Sequence, residues 1–118
     1  IGIKYLKNFK GILDLTHNNL TSYSGLESLT KLRALNLSHV NLPLVPDEVL
    51  LLPKLRVLFM DYCCLITLPK GLTDLKKLKY IGLQDHKIST LPVELCSYLY
   101  DMVEDRDFYE NLQRIKFS

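Results

Sequence analysis

The sequence has no tryptophan, only two methionines, and three cysteines among 118 residues. Cys63, Cys64 and Cys96 make no even disulfide framework, and Cys63-Cys64 is not a C-x-x-C pair. They read as reduced thiols of an intracellular, cytoplasmic protein. No stretch approaches the ~18 apolar residues of a spanning helix, and nothing resembles a signal peptide, so no membrane association is expected. Glycine is sparse, and Gly11, Gly71 and Gly82 are scattered instead of forming a phosphate loop. No serine, histidine and aspartate set converges as nucleophilic catalysis requires. Neither an enzyme nor a cofactor is expected. Neither charge sign dominates: 15 Lys and Arg against 13 Asp and Glu leave +2, too little to indicate a nucleic-acid partner by itself.

What the chain does contain is leucine at a fixed period. Leu32, Leu55 and Leu78 lie 23 residues apart and open the phrases LRALNLSHVNL, LRVLFMDYCCL and LKYIGLQDHKI. An earlier copy, KGILDLTHNNL, occupies 10–20, and a truncated one, LQRIKFS, closes the chain at 112–118. A period in this range marks units that must stack on their neighbours to bury an apolar face. Alternation in Val57-Leu58-Phe59-Met60-Asp61 predicts a short strand with Leu58 and Met60 inward. Stacked copies give a parallel sheet with five inward pairs, Leu13/Leu15, Leu35/Leu37, Leu58/Met60, Ile81/Leu83 and Ile115/Phe117. Leu72, Leu75 and Leu78, at spacing three, predict a short helical or 3₁₀ return segment. Pro46, Pro69 and Pro92 recur where such a return begins.

These positions, over residues 9–118, resemble a leucine-rich repeat domain of the short cytosolic L-P-x-x-L-x-x-L-x-x-L variety. The resemblance implies a right-handed α/β solenoid with short parallel strands on its concave face and 3₁₀ or short helical segments on its convex face. One domain of about five strands would fill 1–118, and the absence of an initiating Met suggests part of a longer protein. Three departures stand out. The family's ninth-position Asn is kept only at Asn18 and replaced by Val40, Cys63 and His86, of which Val40 cannot bond the turn. His86 reads as a turn-bonding surrogate for Asn. The first return is one residue short, a difference Gly25 can absorb. Before the last copy lies an insertion of 11 residues, a helical extension over roughly 93–108. Within it Leu95, Tyr98, Leu99, Met102 and Val103 predict an amphipathic helix over 93–104, followed by the acidic loop Glu104-Asp105-Arg106-Asp107. That helix is expected either to pack on the domain or to dock another chain.

Two exposed surfaces carry functional expectations. On the concave sheet Phe59, Tyr62 and Tyr80 fall on adjacent strands beside Asp61 and Asp85, with Asn36 and His39 nearby, as aromatic anchors inside a polar rim do. At the strand starts Lys31/Arg33, Lys54/Arg56 and Lys77/Lys79 recur in register, with Lys76 as a seventh cation, a rim suited to anions, RNA included. His17 and His39 occupy one position on neighbouring strands, but two ligands make no closed metal site. The expected function is a protein–protein interaction module or scaffold. The alternatives are a structural subunit of a large assembly, ribonucleoprotein included, docked through the basic rim, or the recognition domain of a larger receptor or ubiquitin-ligase adaptor.

Overall fold

The computed structural model describes residues 6, 8–18, 20–100, 102, 103, 116 and 117. Each of the first four copies of the phrase forms one short strand: β1 (Ile12–Asp14), β2 (Ala34–Asn36), β3 (Val57–Phe59) and β4 (Tyr80–Gly82). They make one parallel sheet in chain order, with Ile12 paired to Ala34, Ala34 to Val57 and Val57 to Tyr80. Backbone bonds carry the ladder past the strands, from Leu15 N–H to Asn36 O at 2.9 Å, Leu37 to Phe59 at 2.8 Å and Met60 to Gly82 at 2.9 Å. Alternation sends Leu35, Leu37, Leu58, Met60, Ile81 and Leu83 into the core, while Leu13 and Leu15 at the first rung are half-buried.

Between strands the chain returns through 3₁₀ turns at Leu26–Ser28, Asp47–Leu51 and Lys70–Asp74. Spacing three explains them, because i→i−3 bonds put every third residue on the same edge. Leu29 N–H donates to Leu26 O and Leu32 to Leu29; Leu52 to Val49 and Leu55 to Leu52; Leu75 to Leu72 and Leu78 to Leu75. All nine side chains are buried. Pro46, Pro69 and Pro92 accept the first bond of their returns, from Val49, Leu72 and Leu95, and lose nothing by lacking an N–H. The shorter first return begins instead with Gly25 at φ 100°, a left-handed conformation that favours glycine, and Tyr23 O accepts from Leu26. The result is a mixed α/β domain whose core lies between the sheet and the returns. Among the described residues, no helix is long and apolar enough to cross a membrane.

The C-terminal part departs from expectation twice. The helical segment is one turn, α1 (Leu95–Tyr98), continued by bonds from Leu99 to Leu95, Tyr100 to Ser97 and Met102 to Leu99. Its apolar face packs inward, with Leu95, Leu99 and Val103 buried and Tyr98 and Met102 against the core, so that face is not free to dock another chain. The acidic loop at 104–107 and the remainder to 110 lie outside the described residues. The second departure concerns the last copy. Lys116–Phe117 (β6) pairs in parallel with Thr90–Leu91 (β5) in a separate two-stranded sheet, so among the described residues the main sheet has four strands, not the five expected. At the β4 edge, Ile81 N–H donates to Met102 O at 3.0 Å, so the inserted segment occupies a position a fifth strand would need. Ile115, the other expected inward residue, lies outside the described residues.

Candidate functional site

Each strand of the main sheet leaves through a tight turn, where, besides Cys64 (φ 59°) after β3, one residue at an equivalent place adopts a left-handed backbone. These are His17 (φ 60°), His39 (φ 61°), Tyr62 (φ 59°) and Asp85 (φ 56°), at equivalent places in successive rungs. Histidine and aspartate tolerate this region; a bulky tyrosine rarely does. Such a residue costs on the order of 1–3 kcal/mol and persists where its surroundings hold it. Here the turns are held by bonds between rungs. His39 N–H donates to Asp61 O at 3.0 Å and Tyr62 N–H to Gln84 O at 2.7 Å. Asp61 N–H donates to the Ser38 hydroxyl at 3.0 Å.

The shared geometry stacks the rings. His17 and His39 lie 4.8 Å apart at 12°, and His39 and Tyr62 lie 4.9 Å apart at 10°. All three side chains are exposed, and exposed Asp85 continues the same position on the next rung. A second pair, Phe59 and Tyr80, meets with centroids 5.5 Å apart and planes tilted by 59°. The expected single cluster of Phe59, Tyr62 and Tyr80 is therefore two groups, with Tyr62 joined to the histidines and Tyr80 to Phe59. Residue type and period align His17, His39 and Tyr62, but the continuous stack follows from the left-handed turns.

The polar residues of this face are largely engaged within it. The Asn36 side-chain oxygen accepts from Ser38 N–H at 3.0 Å. The Asp61 carboxylate crosses to the next rung and accepts from Gln84 N–H at 2.8 Å. On the first rung Asp14 accepts from the Thr16 hydroxyl at 2.6 Å and its N–H at 2.9 Å, and these bonds hold its carboxyl below the usual range. At the ninth position, Asn18 donates to Thr16 O, and His86 Nδ1 accepts from Ile88 N–H at 3.0 Å, the surrogate role expected of it. Val40 offers no polar atom, and the Cys63 thiol of the next rung donates to Leu37 O at 3.0 Å. Burial pushes that thiol's pKa up.

The basic residues assemble along the edge where the strands begin. Arg33 O accepts from Arg56 N–H at 2.8 Å and Val57 N–H at 3.1 Å; Arg56 O accepts from Lys79 N–H at 2.8 Å and Tyr80 N–H at 3.2 Å. These bonds hold neighbouring cation-bearing backbones about one strand spacing apart, ~4.8 Å. Three adjoining concavities run along this edge. The first, about 130 Å³, is lined by Lys10, Lys31, Arg33 and Lys54. The second, about 150 Å³, is lined by Arg33, Lys54, Arg56 and Lys77. The third, about 570 Å³, is lined by Arg56, Lys76, Lys77 and Lys79. Lys10 thus joins the seven cations expected there, Lys76 among them. Among the described residues, the only ion pair is Lys70–Glu94, at 3.6 Å and away from this edge.

No protein-family model matches the chain, and no curated protein matches it.

Proposed function

We propose that the chain is a leucine-rich repeat solenoid that works as a non-enzymatic protein-interaction module, with its partner seated on the outward face of the four-stranded sheet. The repeat reading rests on strands in register one period apart and on prolines at three return starts. The interaction reading rests above all on the His17–His39–Tyr62 stack, exposed rings held in order by strained turns. Ordered rings lose little freedom on binding, and aromatic anchors dominate interface energetics. Phe59 and Tyr80 supply a second anchor beside them. Partner-facing polar contacts come from Asp85 and the ring nitrogens more than from Asn36 or Asp61, which already serve their turns.

The test is site-specific photo-cross-linking in cells with a photoreactive phenylalanine at position 62 and, as control, at position 51, where Leu51 is exposed on the helical side. Position 62 is expected to capture a discrete protein adduct that position 51 does not. The same adduct from 51, with none from 62, would refute the reading.

A further inference from the structure

The basic edge lies where the strands begin, whereas the His17–His39–Tyr62 stack lies beyond their ends, and scaffold chemistry does not account for the edge. Like charges set opposite one another across a sheet are destabilising. Yet the three concavities are lined, among the described residues, by Lys and Arg alone, and none of these cations pairs with a described carboxylate. The concavities are continuous: Arg33 and Lys54 line the first and second, and Arg56 and Lys77 the second and third. The backbone bonds from Arg33 O to Arg56 and from Arg56 O to Lys79 fix the spacing along them. With a chain total of only +2, this is a local concentration of charge, not a generally basic surface.

We infer that this edge binds the sugar–phosphate backbone of a single-stranded nucleic acid, independently of the protein partner on the sheet. The lining decides between polyanions. Lys and Arg side chains donate hydrogen bonds and accept none. A bound acidic peptide would bring backbone N–H groups for which these side chains offer no acceptor, whereas a phosphate chain presents acceptors throughout. A bilayer surface is broad, whereas these sites follow one line of rungs, and the two smaller concavities, about 130 and 150 Å³, suit one backbone strand. No aromatic ring lines them among the described residues, so binding depends on phosphates and has little sequence preference.

Fluorescence anisotropy of a labelled oligouridine of about 12 nucleotides, titrated with the 118-residue chain, tests this. Contact with about four phosphates predicts an affinity loss of about fiftyfold between ~50 and ~200 mM KCl. An R33Q/R56Q/K77Q variant is expected to bind at least ~10-fold more weakly, with a flatter salt dependence. R33K/R56K, which keeps the charges, and K70Q, which removes a cation outside the edge, should retain binding. Thermal unfolding shows whether each variant folds, and R33Q and R56Q singly, each expected to weaken binding, serve if the triple variant does not. Affinity indifferent to salt, full binding by a folded charge-removal variant, or equal displacement by polyglutamate or phosphatidylserine vesicles would overturn the inference.

Discussion

The Asp61 carboxylate occupies the space that a side chain at Gly82 would fill: a Cβ there would meet its oxygens at 2.7 and 2.8 Å. The missing side chain on one rung lets the carboxylate of the preceding rung reach Gln84 N–H. Gly82→Ala should therefore displace Asp61 and break that bond, destabilising the fold by about 1–2 kcal/mol. In an Asp61→Ala background the same change should cost clearly less, which a double-mutant cycle by urea unfolding measures. Equal cost in both backgrounds would remove the link.

The ring stack predicts an order among glycine substitutions. His39 stacks on two rings and His17 on one, while their backbones share the same left-handed φ near 60°. Glycine relieves the same backbone strain at either place, so the difference reports the extra ring contact. His39→Gly is expected to be less stable than His17→Gly by about 0.5–1.5 kcal/mol. Thermal unfolding of the two variants checks this.

Cysteine reactivity divides by burial. Cys64 and Cys96 are exposed, whereas Cys63 is buried with its pKa raised. A thiol reagent at neutral pH should label two cysteines in the native protein and the third only on unfolding. Cys64 also has φ 59°, so Cys64→Gly should raise stability by about 0.5–1 kcal/mol.

Alkaline stability depends in part on Tyr98. Its hydroxyl donates to Leu75 O at 2.9 Å, and burial, with Asp74 nearby, pushes its pKa from 10.0 up to about 12. The neutral phenol is thus favoured by folding. Its contribution is complete below pH 10 and is lost as pH rises toward about 12. The melting temperature should fall across that window, and by less in Tyr98→Phe. Parallel curves for the two proteins would contradict this role.

These results show which features a sequence of this kind carries openly. Inward leucines, 3₁₀ returns, recurring prolines and the cation columns were legible because each repeats with the period, and repetition averages out local ambiguity. The Asp61–Gly82 relationship was not, since it depends on an absent side chain on one rung meeting a carboxylate from another. The continuous His17–His39–Tyr62 stack needed a left-handed backbone at Tyr62, which its residue type disfavours. The fate of the last copy was hidden for a different reason. Eleven inserted residues release it from the register, so the period no longer determines which strand Lys116–Phe117 joins.

The most direct test of the account is the affinity of the partner captured at position 62 for F59A/Y62A against the unaltered chain, by isothermal titration. Each ring is an exposed or half-buried member of a contact pair, so the variant should remain folded. Loss of two aromatic anchors should weaken binding by about a hundredfold or more. Unchanged affinity of a folded variant would contradict the claim that the outward face of the sheet is where this protein binds.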